Sequence, residues 1–284
     1  MNFVDLHTHS SASDGTLSPE DLIALAVSKE LKAIALTDHD TIGGIPRAKA
    51  AAAASGLELI PGMELSCAYQ GTEIHILGFF VDETSEILKN GLAGFCKVRN
   101  ARNQDMLSRF QEDGFHISRE DLTRNDPDTV ITRAHFARVL TEKGYVSSPA
   151  QAFEKYLQYG GRYCTQPKRV TAEQVMELMR ACRAWPCLAH PMQYRQGYRE
   201  IREMALCLKN LGLRGMEVYH SSHHRGQSAK LQIIAKELGL LPSGGSDFHG
   251  SNKPDVELGR GRGGLRVSYS PLCIQRTCGR TAWT

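Results

Sequence analysis

Histidine and aspartate recur in this chain at the points where strands are expected to end. The stretches are His7-Thr8-His9, Thr37-Asp38-His39-Asp40 and Ser246-Asp247-Phe248-His249. Side chains alternate between the two faces of a strand, so residues two positions apart point the same way and can reach one metal ion. His7 and His9 have this spacing, and Asp247 and His249 repeat it. The pattern predicts a metal site built from both ends of the chain.

Nine imidazole and carboxylate side chains form the predicted ligand set. They are His7, His9, Asp14, His39, Glu64, His75, His190, Asp247 and His249. A lone histidine is more often hydrogen-bonded or exposed than a ligand, but nine such residues near strand ends are harder to explain that way. Mixed imidazole and carboxylate donors favour Mn, Zn or Fe over Ca, and no thiolate is expected to take part. The set predicts a multinuclear metallohydrolase.

Alternating strands and helices are predicted to bring these residues together. Strands are expected over residues 2–6, 32–36, 57–60, 74–80, 186–189, 215–219 and 240–244, with Glu64 beyond a Pro-Gly turn after the third. A helix is expected to begin at Ser18-Pro19, and others over residues 45–55, 171–182, 198–211 and 227–238. Such alternation predicts a barrel-like α/β fold with parallel strands, whose active site lies at the carboxyl ends of the strands.

A helical insertion is predicted to interrupt the barrel. Residues from about 85 to 167 have helical periodicity and little strand character, with helices expected over 134–143 and 148–158. We therefore expect a discontinuous barrel domain, 1–98 and 168–284, and an insertion or cap, 99–167, that limits substrate size. The chain after Gly259 carries arginines and no acid, and we expect a loosely packed end there, with a basic functional arm as the alternative.

Bulk composition favours an ordinary globular protein. Of the 284 residues, 41% are hydrophobic and 23% charged, and the net charge of +3 is too small to indicate a nucleic-acid-binding protein by itself. The eight cysteines form no C-x-x-C pair, and neither a signal peptide nor a membrane-spanning apolar run is evident. We expect a cytoplasmic protein with reduced thiols, no membrane association and no obligate protein partner.

The order of these motifs resembles the PHP (polymerase and histidinol phosphatase) superfamily. The resemblance covers roughly residues 1–98 and 168–260 and rests on H-x-H, Asp14-Gly15, T-D-H-D, Glu64, H-I-L-G, A-H-P and S-D-F-H. It implies a distorted (β/α)7 TIM-like barrel related to the amidohydrolases. The segment Thr132–Arg138 and the later E-L-G-R resemble the TrpH/RNase AM-like branch, which includes phosphatases of 3′,5′-bisphosphonucleotides and exonucleases acting on short RNA from the 5′ end.

The resemblance also implies how the ligands are shared between two to three divalent ions. The first ion would be held by His7, His9, Glu64 and Asp247, and Glu64 would bridge to a second ion held by His75 and His190. The third ion would be held by Asp14, His39 and His249. Mn²⁺ is the favoured ion, with Zn²⁺, Fe²⁺ and Mg²⁺ as alternatives.

Clustered divalent ions suit phosphoester hydrolysis, in which a bridging water loses a proton and attacks as hydroxide. The predicted catalytic residues are Asp247, Glu64 and His223, with His223 protonating the leaving oxygen and His220 and His224 as neighbours that could substitute for it. The predicted substrate-binding residues are Arg133, His135, Lys168 and His223. A guanidinium can hold phosphate oxygens in bidentate contact, which favours Arg133 for that role.

The leading functional hypothesis is a phosphatase that removes the 3′-phosphate from a nucleoside 3′,5′-bisphosphate. The rival is a 5′→3′ exoribonuclease that acts on short 5′-phosphorylated RNA at the same centre. Histidinol phosphate phosphatase and C–N hydrolysis are less favoured by the motifs. A hypothesis from a different functional class is a non-catalytic metal- or nucleotide-binding module, and the intact ligand set argues against it.

Overall fold

The structure, a computed structural model, describes residues 3–124, 126, 128–165 and 169–269. The strands are β1 (Phe3–Thr8), β2 (Ala33–Leu36), β3 (Glu58–Tyr69), β4 (Thr72–Phe79), β5 (Trp185–Leu188), β6 (Gly215–His220), β7 (Leu241–Gly245) and β8 (Val267–Ser268). The helices are α1 (Pro19–Ser28), α2 (Ile45–Ser55), α3 (Glu86–Glu112), α4 (Arg119–Thr123), α5 (Arg133–Glu142), α6 (Pro149–Lys155), α7 (Ala172–Ala181), α8 (Tyr198–Asn210) and α9 (Arg225–Leu238). Short 3₁₀ helices span Pro191–Tyr194 and Gly250–Asn252.

The strands form one eight-stranded sheet that is nearly closed into a barrel. Its order is β7-β6-β5-β4-β3-β2-β1-β8. The gap between β7 and β1 is bridged just beyond the strand ends, where Asp247 donates its backbone N–H to the His7 carbonyl at 2.9 Å and His9 donates to the Phe248 carbonyl at 3.0 Å. The α/β barrel with helical content that the sequence predicts is confirmed.

The expectation of uniformly parallel strands is wrong. β4 is antiparallel to both β3 and β5, while β1, β2 and β3 are parallel, as are β5, β6 and β7. The cause is a two-residue hairpin loop, Gln70-Gly71, whose φ angles are +46° and +83°. Such a loop leaves no room for a crossover, so the strands that it joins must be antiparallel.

The third strand is also longer than predicted. Pro61 and Gly62 do not form a turn before Glu64, because β3 continues through them, pairing with β2 on one side and β4 on the other. Gly62 is closely packed, and a Cβ there would lie 3.1 Å from the Gly78 carbonyl oxygen. Glu64 therefore lies within a strand rather than in a loop.

Alternate strand residues are divided between two apolar clusters. Ile34 and Leu36 pack with helices α1 and α2, whereas Ala33 and Ala35 belong to a second cluster drawn almost entirely from strands. This division is what a barrel with helices outside it requires. The predicted capping residue of α1 is confirmed, since Ser18 accepts the Asp21 N–H at 3.1 Å.

The helical segment has a third apolar cluster of its own, formed by residues between Met106 and Cys164. Helix α3 is continuous across the predicted boundary at residue 98, and it contributes Leu88 and Leu92 to the barrel core and Met106 and Phe110 to the helical core. The division into two domains stays a prediction. Within the described residues, no helix is long and apolar enough to cross a membrane.

The chain after Gly259 is packed as far as the structure describes it. Val267 is 2% exposed, β8 pairs antiparallel with β1, and Arg262 donates to Asp255 at 2.6 Å. The expected loose end is therefore wrong for residues 259–269, and the arginines beyond them lie outside the described residues.

We predict that Gly245→Ala destabilises the protein at the barrel closure. A Cβ at this position would lie 2.4 Å from both the backbone nitrogen and the Cβ of His7. Overpacking of this kind costs about 1–3 kcal/mol. Thermal unfolding should show a lower midpoint. Gly94→Ala is the matched control, because a Cβ in that exposed helical position meets nothing within 4 Å and should stabilise by about 0.5–1 kcal/mol. Equal midpoints for the two variants would contradict the close approach.

Candidate metal centre

The nine predicted ligands come from six strands and the segments that directly follow them. His7, Glu64 and His75 lie within β1, β3 and β4. The others follow β1, β2, β5 and β7 and are Asp14, His9, His39, His190, Asp247 and His249. All except His75 are at most 8% exposed. The structure brings all nine together at one end of the barrel.

Glu64 stands between two groups of imidazoles. Its Oε1 lies 2.9 Å from Nδ1 of His75 and 2.9 Å from Nε2 of His190. Its Oε2 lies 3.3 Å from Nε2 of His7 and 3.4 Å from Nε2 of His9. Because the two oxygens face different imidazoles, this carboxylate has the geometry of a bridge between two ions.

A second carboxylate gathers the imidazoles on the other side of His9. Asp14 Oδ1 lies 3.2 Å from Nε2 of His249, and Oδ2 lies 3.7 Å from Nε2 of His39. Ligand atoms of Asp14, His9, His39 and His249 all lie within 4.8 Å of one another. This group contains every residue that the resemblance assigns to the third ion.

The two carboxylate oxygens of Asp247 face different groups. Its Oδ1 lies 3.7 Å from Nε2 of His7 and 3.5 Å from Nε2 of His9. Its Oδ2 accepts a hydrogen bond from Lys253 Nζ at 2.6 Å and lies 3.5 Å from Nε2 of His220. Oδ1 is therefore the oxygen that can face a shared ion, and Lys253 binds the other oxygen.

Several buried ligand atoms in this centre have no hydrogen-bond partner among the described residues. They are His7 Nε2, both ring nitrogens of His9, His39 Nδ1, Glu64 Oε2 and His190 Nδ1. Buried polar atoms normally find a partner, because leaving one unsatisfied costs free energy. Imidazole and carboxylate lone pairs are ligands for divalent transition ions, so the clusters fit divalent metals.

The carboxylates at the centre are held in their ionised form. Burial would raise the pKa of Glu64 and Asp14, yet His39 and its neighbouring imidazoles hold both pKa values well below their usual range. Burial acts in the same direction on Asp247, whose pKa is also held well below its usual range by Lys253 and His249. Ionised carboxylates are the form that binds a metal ion.

The same carboxylates favour positive charge on particular rings. Burial lowers the pKa of His7, but Glu217, Glu64 and Asp247 outweigh burial and raise it well above its usual value. In contrast, burial and the proximity of His249 lower the pKa of His9 to about 4, which leaves that ring neutral. The centre therefore attracts cations, and protons compete with metal ions for it.

Glu217 is a buried residue of the centre that the sequence reasoning missed. Its Oε1 lies 3.1 Å from Nδ1 of His7, and its Oε2 accepts the backbone N–H of His190 at 2.7 Å. A carboxylate behind a ligating imidazole fixes the ring and raises its basicity. A signal was present in the sequence, since Glu217 is the one acid in the apolar stretch Gly-Met-Glu-Val of β6.

Backbone strain accompanies two of the predicted ligands. His190 has φ of +23° and Asp247 has φ of +58°, in a region that non-glycine residues rarely adopt. Such conformations persist only where the surrounding structure imposes them, and they are common at functional sites.

A cavity of about 730 Å³ opens onto the centre. Arg133 lines this cavity, whereas His135 is not among the described residues that line it. Arg133 donates to Glu73 Oε1 at 2.8 Å. Nδ1 of His135 instead accepts the Thr132 N–H at 3.0 Å, which caps α5, and the Thr132 hydroxyl donates to Asp14 Oδ2 at 2.9 Å. His135 thus supports a predicted ligand rather than facing the cavity. Lys168 lies outside the described residues.

The hydrogen-bond partners of His223 disfavour the predicted proton donation from its Nε2. Nδ1 lies 3.1 Å from the Val218 carbonyl, which can only accept, so Nδ1 carries the hydrogen and Nε2 the lone pair. Burial and the neighbouring His220 lower the pKa of His223 to about 4, so the ring is neutral. His220 has the opposite arrangement, because its Nδ1 accepts the Ser222 N–H at 3.1 Å and leaves the Nε2 hydrogen facing Asp247.

Comparison with known proteins places this geometry in context. The model of the PHP domain matches residues 5–238. The 5′-3′ exoribonuclease Rnm of Escherichia coli is 35% identical over 258 residues, which are 90% of this chain and 88% of that protein. The 3′,5′-nucleoside bisphosphate phosphatase of Chromobacterium violaceum is 32% identical over 260 residues, 91% of each chain. A Bifidobacterium adolescentis structure described as a metal-dependent phosphoesterase superposes with a TM-score of 0.85 at 27% identity, over 97% of this chain and 96% of that one.

We predict that Glu217→Gln weakens metal binding without unfolding the protein. The substitution keeps the size of the side chain but removes the charge behind His7, and changes of this kind lower metal affinity by about 10–100-fold. Metal titration with elemental analysis of the dialysed protein measures the effect. Glu237→Gln is the control, because this exposed acid pairs only with Arg202 in the described part of the chain. Unchanged affinity in the Glu217 variant would show that the carboxylate does not support the centre.

Proposed function

This chain belongs to the PHP domain family, and we propose that it removes the 3′-phosphate from nucleoside 3′,5′-bisphosphates to give the 5′-monophosphate and phosphate. The observation that carries the proposal is the ligand cluster at the floor of a cavity whose walls carry guanidinium groups. Divalent ions beside fixed cations suit the hydrolysis of a phosphate ester. The Chromobacterium relative named for this reaction supports the substrate class.

We propose that the ligands form three sets, one for each of three ions. His7, His9, Glu64 and Asp247 would hold the first, Glu64 with His75 and His190 the second, and Asp14, His39 and His249 the third. Mn²⁺ is the proposed ion, since hard carboxylate and intermediate imidazole donors predominate and no thiolate takes part. Bound ions would supply an acidified water as nucleophile and neutralise the charge of the phosphoryl oxygens.

The chain's own residues orient the substrate and the carboxylate of Asp247. Arg133 lines the cavity and is linked to His75 by Glu73, which contacts both residues. Its guanidinium would hold phosphoryl oxygens in bidentate contact. Nε2 of His220 lies 3.5 Å from Asp247 Oδ2, and we propose that His220 helps to orient this carboxylate. Lys253 keeps Asp247 Oδ2 occupied, so that Oδ1 faces the shared side of the centre.

A second candidate is 5′→3′ exoribonuclease activity on short RNA. It is favoured by the Escherichia coli relative and by the extent of the cavity, which continues from the ligands along α5 to Arg124 and Phe153. Both reactions break an ester bond at the 3′-oxygen of a nucleotide that carries a 5′-phosphate, so one centre could serve either. A non-catalytic binding module is disfavoured because all nine predicted ligands converge.

A comparison of substrates tests the proposal. The Mn²⁺-loaded protein is expected to release phosphate from adenosine 3′,5′-bisphosphate faster than it degrades a 5′-phosphorylated RNA trimer, with histidinol phosphate as a third arm. The measurement is kcat/KM for each compound. Preference for the trimer would replace the phosphatase by the exonuclease, and turnover of none would refute both.

We expect Asp247→Asn to abolish turnover while the fold remains intact. The amide cannot supply the negative oxygen that faces His7 and His9, and it disrupts the pairing with Lys253. Circular dichroism, metal content and kcat should be measured together, with Asp255→Asn as the control at an exposed acid nearby. Full activity of the Asp247 variant would show that the centre is assigned wrongly.

A further inference from the structure

One wall of the cavity is unusually rich in guanidinium groups. Arg99 and Arg102, both from α3, line it together with Arg133 from α5. Arg169 lies nearby, and its guanidinium carbon is 4.5 Å from the centre of the Tyr159 ring. Glu73, an acid of the same cavity wall, lies close to all of these cations.

Two of the three arginines on this wall of the cavity have carboxylate partners. Arg99 forms a buried ion pair with Asp40, with Nε 2.6 Å from Oδ2, and Arg133 pairs with Glu73 at 2.8 Å. Each of these guanidinium groups therefore has a carboxylate partner within the protein.

Arg102 is different. Its guanidinium donates to the side-chain oxygen of Asn103 at 3.0 and 3.3 Å and to the Tyr159 hydroxyl at 3.3 Å, and no carboxylate of the described residues lies within ion-pair distance. Burial, together with the charges of Arg99 and Arg133, lowers its pKa to about 10. A half-buried cation without an acid is costly, so this position favours an anion from outside the protein.

The contacts also show where such an anion would lie relative to the ligands. Nε2 of His75 is 3.5 Å from Glu73, which pairs with Arg133, and the Arg133 guanidinium stacks on the Tyr159 ring at 3.8 Å. The Tyr159 hydroxyl then contacts Arg102. Arg102 is thus linked to the centre through one more contact, the Tyr159 ring, than Arg133, and both arginines line the same cavity.

The geometry points to Arg102 as the anchor of a second phosphate group, the 5′-phosphate monoester that is not cleaved. This inference rests on the proposed function, because it takes the cleaved phosphate to lie at the metal centre. A nucleotide with phosphates on both sides of its ribose matches a cavity with a metal centre and a separate unpaired guanidinium. Asn103 and Tyr159 orient the Arg102 guanidinium. The Tyr159 ring in turn contacts the guanidinium groups of Arg133 and Arg169.

Arg102→Gln should lower the preference for a 5′-phosphate. We expect kcat/KM for adenosine 3′,5′-bisphosphate to fall about 30-fold or more, as for removal of one partner of a buried charged contact, with little change for adenosine 3′-monophosphate. The ratio of the two values does not depend on the fraction of folded enzyme. Arg102→Lys keeps the positive charge but loses the forked N–H donors of the guanidinium, so it should recover part of the ratio of the two kcat/KM values.

Arg124→Gln is the matched control, because Arg124 lines the same cavity but is paired with Glu142. Its substrate ratio should equal that of the wild type. Equal losses on both substrates in the Arg102 variant, or a selective loss in the Arg124 variant instead, would overturn the assignment.

A binding measurement separates this inference from the proposed reaction. Calorimetry with the Mn²⁺-loaded wild type should show tighter binding of adenosine 5′-monophosphate than of adenosine, and Arg102→Gln should remove most of that difference. If neither phosphorylated substrate is turned over but this binding pattern holds, the proposed function fails and the anion site stands. A difference that persists in the variant would mean that the 5′-phosphate binds elsewhere, and the anion site fails.

Discussion

The attraction between buried carboxylates and the imidazoles around them is the interaction on which the rest of the structure depends. Glu64 is fully buried, and burial alone would favour its neutral form, yet His39, His7 and His75 hold it ionised. A negative group in this position requires positive charge nearby, either from protons or from metal ions. The barrel can therefore keep this end polar only by placing rings from several strands within reach of the same oxygens.

That requirement constrains the barrel itself. His7 contacts Glu64 on one side and is backed by Glu217 on the other, so β1, β3 and β6 must keep fixed distances from one another. The closure between β1 and the end of β7 passes directly through this region, where Asp247 donates its N–H to the His7 carbonyl. Two functions share one set of contacts, because the backbone bonds that close the sheet also set the spacing of the ligands.

The sequence predicted those elements that depend on interactions between neighbouring residues. The Ser18 cap and the helix over Ile45–Ser55, with Gly56 in a left-handed conformation after it, follow from residues that are adjacent in sequence. The convergence of the nine predicted ligands at one end of the barrel could be predicted, because their order and spacing are visible in the sequence. The course of β3 through Pro61 could not, because pairing on both sides overrides a turn signal. The proton positions of His220 and His223 depend on Ser222 and the Val218 carbonyl, whose orientation only the folded chain determines.

The helical segment contacts the predicted metal centre directly. Thr132, from the start of α5, donates to Asp14, and α3 spans the barrel core and the helical core in one continuous helix. The same helix presents Arg99, which is tied to Asp40 beside the ligand His39, and one turn later Arg102, which is tied to no acid of the described residues. A rigid helix fixes the distance between such groups, since each residue advances it by about 1.5 Å. Because the cationic wall and the predicted ligands are joined through Asp40 and Thr132, a shift of the helical segment would move the proposed phosphate-binding wall and Asp14 together. We therefore expect selection of the substrate and assembly of the metal centre to be coupled by the packing of α3 and α5 on the barrel.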